Sequence, residues 1–135
     1  MNRRVIWAIA VLAAVFPILV AARNHAGRDA RFFDRRIEPI LRAHCLGCHN
    51  DKLKDGGISF SDRDGLLRGG GRGPAIVPGN PVASILVQAV RQDGALTMPP
   101  GGKLSATDIA TLTQWIKRGA PWGTKLRAND VTKIP

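Results

Sequence analysis

The chain has 135 residues and a formal net charge of +10 at pH 7, from 20 basic and 10 acidic side chains. Its length suits one small domain. The basic residues are scattered and match no recognised nucleic-acid-binding motif, which argues against DNA or RNA and leaves an acidic protein or an anionic surface as the partner. The chain has 2 cysteines, and they are too close together for a disulfide to stabilise the fold much.

The first element is an apolar segment. Arg3 and Arg4 precede residues 5–22, which contain no charge. A basic flank followed by an apolar run predicts export of the remaining chain to the periplasmic side. We assign residues 1–22 to a signal peptide or an N-terminal membrane anchor, because the length of the run suits both. Small residues at 20–22 favour cleavage, whereas the unbroken run favours a retained anchor.

Residues 23–31 are predicted to form a polar tether. Asp29 is a candidate N-cap for a helix whose apolar positions recur at spacings of three and four. These positions are Phe33, Ile37, Ile40, Leu41 and His44. Pro39 lacks the N–H that a helix interior needs, so the sequence predicts a kink or two short helical pieces that end near Cys45.

Loops and two short helices are predicted after the cysteines. Residues 50–79 are typical of a loop, interrupted where Ser61 and Asp64 resemble a capping box ahead of a short helical turn that the glycines 69–71 end. Asn80 followed by Pro81 predicts the start of another helix, which continues to about residue 91.

The last predicted helix has the clearest apolar face. Ser105 and Asp108 form a second capping box, and Gly119 is placed to end the helix. Its apolar positions are Ile109, Leu112, Trp115 and Ile116. The sequence therefore predicts an all-α domain at residues 32–123, with three to four short helices and long loops, followed by a C-terminal tail at residues 124–135.

The segment CLGCH, residues 45–49, permits four interpretations. A zinc site would use Cys45, Cys48 and His49 but needs a fourth ligand, for which His25 and His44 are candidates. A thioredoxin-like dithiol lies near a βαβ pattern, and none is visible. A disulfide would close a very short loop.

The fourth interpretation uses every residue of the motif. Cys-x-x-Cys-His is the attachment sequence of c-type haem. Cys45 and Cys48 would form the two thioether bonds, and His49 would bind the iron on the proximal side. One covalently bound haem would also give a small, loop-rich domain the apolar body around which it can pack. Such attachment belongs outside the cytoplasm, which agrees with the predicted export.

Met98 is the candidate for the second axial ligand. It lies in TMPPGGKLS, where Pro99 and Pro100 restrict the backbone. The other methionine is Met1, in the export segment. The alternative is that Met98 is an ordinary core residue that fills a gap. His25 and His44 remain as rival ligands.

The chain resembles the planctomycete-type cytochrome c domain over residues 32–122. The similarity lies in four stretches, FFDRRIEPILRAHCLGCHN, GGISFSDRDGLLRGGGRGPAIVPGNP, SILVQAV and MPPGGKLSATDIATLTQWIKRGAPW. The resemblance implies a class I-like cytochrome c fold with packed terminal helices and one covalent haem. It implies thioether bonds at Cys45 and Cys48, and iron ligation by His49 and Met98.

The resemblance also suggests roles for apolar residues. Ile76 and Val77 would line the haem crevice. Trp115 would pack on Phe33 or Ile37. The indole of Trp122 would either contact a haem propionate or pack at the end of the last helix.

The function predicted from these features is electron transfer by a mono-haem c-type cytochrome rather than enzymatic catalysis. Two alternatives stay open: a haem-based ligand sensor in which Met98 is displaceable, and an electron-entry accessory subunit of a multi-chain oxidoreductase. An acidic redox partner is predicted from basic residues that flank the haem-bearing segments, namely Lys52, Lys54, Arg72 and Lys103.

Overall fold

The computed structural model describes residues 21, 23–124 and 126. Within this part the secondary structure is helical and contains no strand, which confirms the predicted all-α class. The α-helices that follow residue 37 are α1 (Glu38–His44), α2 (Arg63–Arg68), α3 (Ile85–Arg91) and α4 (Ala106–Lys117). The predicted export segment and most of the predicted tail lie outside the described residues. No described helix is both long and apolar enough to cross a bilayer.

The segment predicted as a tether is helical. The helix already includes residue 23 and continues without interruption past Asp29, so the predicted N-cap at Asp29 is wrong. The Asp29 carboxylate instead pairs with the guanidinium of Arg118, just beyond α4, and with the imidazole of His25. Arg118 also lies 4.7 Å above the ring of Phe32. These contacts with the end of α4 stabilise helix in a segment that looks polar and unstructured in the sequence.

Pro39 explains an irregular turn ahead of α1. In a regular helix this residue would donate its N–H to the carbonyl four positions earlier, but proline has no N–H and its ring crowds that carbonyl. The backbone widens into a π-helical turn at Phe33–Ile37, in which the Glu38 N–H donates to the Phe33 carbonyl. Pro39 then lies in the first turn of α1. The predicted irregularity is therefore a wide turn inside a continuous helical segment.

The start of α2 differs by one residue from the prediction. Asp62, not Ser61, is the N-cap, and its Oδ1 accepts the N–H of Gly65 at 2.6 Å. Ser61 is fully buried, and its hydroxyl has no hydrogen-bond partner among the described residues. Packing takes Ser61 away from the helix end, and the carboxylate that follows it is an equally strong cap.

Helix α3 begins later than the sequence predicts. Asn80 accepts the N–H of Ala83 at 3.2 Å and so closes a turn, while α3 itself begins at Ile85. The hydroxyl of Ser84 joins this turn to the preceding loop, because it donates to the Asn80 carbonyl at 2.8 Å and accepts the Val77 N–H at 2.9 Å. The end of α3 at Arg91 agrees with the prediction.

The bounds of α4 agree with the prediction. The Ser105 hydroxyl accepts the N–H of Asp108 at 3.0 Å, and Gly119 follows the helix with φ 92°. A positive φ is easily adopted by glycine, which is why the helix ends there.

The first and last helical segments pack together through aromatic rings. Trp115 and Phe33 are fully buried with ring centroids 5.9 Å apart, which confirms the contact predicted between them. Trp122 packs against both rings, with its centroid 4.2 Å from that of Phe33 and 6.1 Å from that of Trp115. The indole N–H of Trp115 donates to the Pro121 carbonyl at 2.7 Å. This aromatic cluster joins the first helical segment to α4.

Candidate haem-binding site

The CLGCH segment forms a helical turn directly after α1. The N–H groups of Cys48 and His49 both donate to the Cys45 carbonyl, at 3.2 and 2.9 Å. Residues three and four positions apart in such a turn project from one side. Cys45, Cys48 and His49 accordingly line the same cavity.

His49 is oriented through its backbone and its ring. Its carbonyl accepts the N–H of Phe60 at 2.8 Å, and the two rings stack with centroids 5.2 Å apart. Its Nδ1 lies 2.9 Å from the Asp55 carbonyl oxygen. Because a carbonyl only accepts, this contact places the ring proton on Nδ1 and leaves the lone pair of Nε2 available to a metal.

The cavity beside this turn has a volume of about 260 Å³. Its wall also includes Met98, which is half-buried and lies about fifty positions further along the chain. The remaining wall is mainly apolar and includes Ile58, Phe60, Ala75, Ile85, Leu86, Val90 and Leu104. Two thiols, an imidazole and a thioether therefore face one apolar space.

The Met98 backbone is attached to the end of α3. Its N–H donates to the Ala89 carbonyl at 3.0 Å. The side-chain amide of Gln92 donates to the carbonyls of Met98 and Pro99, at 3.1 and 3.2 Å. The loop thus places the Met98 side chain at the cavity by contacts with a helix that itself lines the cavity.

Residues 45–102 match the family described as planctomycete cytochrome C. The match begins at the first cysteine of the motif and extends beyond Met98. The match supports a planctomycete-type cytochrome c domain in this part of the chain and, with it, a haem-binding cytochrome. No curated protein and no solved structure gives a significant match.

The donors at the cavity fit a covalently bound haem. Cys45 and Cys48 are free thiols, as thioether formation requires, and the imidazole and the thioether are the two axial donors typical of cytochromes c. The wall between them is apolar, as a porphyrin ring requires.

The state of Cys45 speaks against a catalytic dithiol. Burial raises the pKa of its thiol from the ordinary value of 9.0 to about 12. The thiol is therefore neutral at physiological pH, whereas thiol–disulfide exchange requires a thiolate.

Neither candidate for the fourth ligand of a zinc site lies inside the cavity. His25 is exposed in the first helical segment, with its Nε2 3.3 Å from the Asp29 carboxylate. His44 lies at the edge of the cavity but is exposed. Among the residues the structure describes, no three His, Cys, Asp or Glu side chains are grouped to hold a metal ion.

The cavity wall differs from the expectation at Ile76 and Val77. Ile76 and Val77 are not among the lining residues; Ile76 is 1 % exposed within the core. Ala75 lines the cavity in their place, because its N–H donates to the Leu66 carbonyl and its carbonyl accepts the Leu86 N–H. These bonds set which way each side chain of the extended loop projects.

Trp122 likewise lies away from the cavity wall. Its indole N–H donates to the Leu126 carbonyl at 3.1 Å, and its ring packs on Phe33. Of the two roles suggested for Trp122, its contacts in the structure are those of packing at the end of the last helix.

Sequence reasoning missed the residues that orient the donors. Asp55 contacts the His49 ring through its backbone carbonyl. Gln92 contacts the Met98 backbone through its side-chain amide. Phe60 stacks on His49 from a segment that was assigned only to a loop. A backbone carbonyl leaves no sequence signal, and a single glutamine has none that distinguishes it from a surface residue.

Glycines pack the turn that supports His49. A β-carbon at Gly70 would lie only 2.1 Å from the Gly56 carbonyl oxygen, whereas one at Gly71 would meet nothing closer than 4.0 Å. Gly56 follows Asp55, whose carbonyl contacts His49. Space at Gly70 is therefore needed for the turn to keep its position.

We expect Gly70→Ala to lower the free energy of unfolding by about 1–3 kcal/mol, the usual cost of forcing an extra carbon into a filled space. Gly71→Ala is the matched control and should be neutral or slightly stabilising. Denaturant unfolding of both variants measures the difference. Equal midpoints for the two would contradict the close packing at Gly70.

Proposed function

We propose that this domain is a mono-haem electron carrier of an exported compartment, in which His49 and Met98 are the axial ligands of the iron. The observation that supports this most is the convergence of donors from two distant stretches of sequence on one apolar cavity. Covalently bound haem supplies a one-electron iron couple there. The predicted export segment supports the location, and its cleavage or retention decides between a soluble and a membrane-tethered carrier.

Each residue at the cavity has its own role in this proposal. The thiols of Cys45 and Cys48 form the covalent attachment, and the Asp55 carbonyl keeps the proton of His49 on Nδ1. The thioether of Met98 stabilises the reduced iron relative to a nitrogen ligand, which raises the potential. With both axial positions filled, no site is left for a substrate. This is why electron transfer is favoured over catalysis.

The apolar wall has an electrostatic effect of its own. Leu86, Val90 and Leu104 are buried beside the cavity and make this part of its wall apolar. A low local dielectric disfavours the more highly charged oxidised iron. The wall therefore acts in the same direction as Met98, toward a potential on the high side for haem.

The experiment that tests the proposal is an optical spectrum of the full chain made in a host that matures c-type cytochromes. We expect a c-type reduced spectrum, haem that stays with the chain on a denaturing gel, and a methionine-to-iron charge-transfer band in the oxidised form. A high-spin spectrum without that band, with carbon monoxide binding at low concentration, would favour the ligand sensor. A chain without haem would end the proposal.

An acidic redox partner is part of the proposal. Lys52, Lys54, Arg72 and Lys103 are all exposed, and Arg72 is the one lysine or arginine among the described residues lining the cavity. Positive charge at the edge of the cavity would attract an acidic surface to the place where electrons enter and leave.

We expect the oxidation rate of the reduced domain by hexacyanoferrate(III), an anion, to fall at least about three-fold as salt rises from 10 to 200 mM, because salt screens this attraction. Arg72→Glu should slow the reaction at low salt. Lys117→Glu makes the same charge change on α4, away from the cavity wall, and should have a smaller effect. Rates that stay flat across the salt series would remove the electrostatic part of the proposal.

A further inference from the structure

Gln92 has an unusual combination of backbone and side-chain geometry. It directly follows α3, and its φ of 53° is in the left-handed region, which is costly for a residue other than glycine. Its side chain is half-buried rather than in solvent. The left-handed turn directs the side chain back toward the loop that contains Met98.

The side-chain amide of Gln92 contacts the backbone carbonyls of Met98 and of the residue that follows it. Its Nε2 lies 3.1 Å from the carbonyl oxygen of Met98 and 3.2 Å from that of Pro99. One amide nitrogen has two hydrogens, so both bonds can form at once. The N–H of Met98 is bonded to Ala89, so three hydrogen bonds connect this short stretch to the end of α3.

We propose that Gln92 is a positioning residue that keeps the thioether of Met98 at the cavity and so controls how readily Met98 gives up its place to another ligand. This rests on the proposed function, in which Met98 is the second axial ligand. The two carbonyls belong to Met98 and to the residue that follows it. Loss of the amide leaves the bond from the Met98 N–H to Ala89 as the one remaining bond of the three, which makes it easier for Met98 to move away from the cavity.

The expected effect follows from the two bonds. Loss of two neutral hydrogen bonds should raise the equilibrium constant for detachment of Met98 about ten-fold or more. Imidazole binds the oxidised domain only where Met98 has left. Its apparent association constant should therefore rise by the same factor.

The test uses imidazole titration of the oxidised, haem-loaded chain, followed by the loss of the charge-transfer band. Gln92→Leu removes both donors without adding charge. Gln88→Leu is the matched control, because the Gln88 amide also donates to a backbone carbonyl, that of Val82 at 2.9 Å, but on the exposed side of α3. Gln92→Leu should bind imidazole about ten-fold more tightly, and Gln88→Leu as the unaltered chain does.

Gln92→Gly separates positioning from a general loss of stability. Glycine adopts the left-handed conformation more easily than glutamine, so the end of α3 should be no less stable in this variant. Tighter imidazole binding in Gln92→Gly, without a lower melting temperature, would then be due to the lost amide. An imidazole affinity equal to that of the Gln88→Leu control in both Gln92 variants overturns the proposal.

The same titration distinguishes this proposal from the proposed function. If the unaltered domain has no methionine-to-iron band, Met98 is not the ligand, and both proposals fail. If the band is present but the Gln92 variants bind imidazole no more tightly than the Gln88→Leu control, Met98 ligation stands and the proposed role of Gln92 is wrong.

Discussion

Replacement of Met98 by leucine should abolish the methionine-to-iron charge-transfer band of the oxidised domain while haem stays attached through the cysteines. Leucine is close to methionine in volume and keeps the backbone bonds to Ala89 and Gln92, so the loop should remain in place. The sulfur is what is lost. We therefore expect a lower reduction potential and binding of imidazole or carbon monoxide at concentrations that leave the unaltered domain unchanged.

Leu96→Ala is the matched control for Met98→Leu. Leu96 lines the same cavity two positions earlier and is also half-buried, but it has no donor atom. This variant should retain the band. If Met98→Leu retained it as well, the ligand would have to be another residue, and the only other methionine of the chain is Met1.

Replacement of Trp115 by alanine should destabilise the domain by about 3–5 kcal/mol, the range found for the removal of large buried aromatic side chains. The ring is 0 % exposed and contacts both Phe33 and Trp122. A domain of this size has only about 5–15 kcal/mol of stability in total. Denaturant unfolding with haem bound should show a large shift of the midpoint.

Two further variants serve as comparisons for Trp115→Ala. Trp115→Phe keeps an aromatic ring but loses the hydrogen bond to the Pro121 carbonyl, and should cost about 1–2 kcal/mol. Gln114→Ala changes the exposed neighbour of Trp115 on α4 and should have little effect. A loss below about 1 kcal/mol for Trp115→Ala would contradict the view that this cluster holds the terminal helices together.

Some features could be predicted because they depend on residues close in sequence. The turn of CLGCH places its donors on one side through bonds between neighbours, and Ser105 caps α4 through a residue three positions away. For such features a local pattern contains nearly all the interactions that decide the structure.

Other features depended on contacts with distant parts of the chain. Asp29 looked like a helix cap, but Arg118 pairs with its carboxylate and the helix continues through it. Ser61 looked like the cap of α2, but it is buried and Asp62 caps the helix instead. In each case the packing of the folded chain, which the local pattern does not contain, decides the outcome.

The sequence by itself determined the chemistry of the site: two thiols, an imidazole and one downstream thioether, in a chain with a helical apolar pattern. Tertiary structure decided the cavity wall, because the bonds of the Ala75 N–H and carbonyl turn that residue, and not Ile76 or Val77, toward the cavity. It also decided the support of Met98, since the contacts of Gln92 exist only once α3 and the loop are folded against each other. Donor identity is a property of single residues, whereas orientation depends on hydrogen bonds between segments that sequence patterns do not connect.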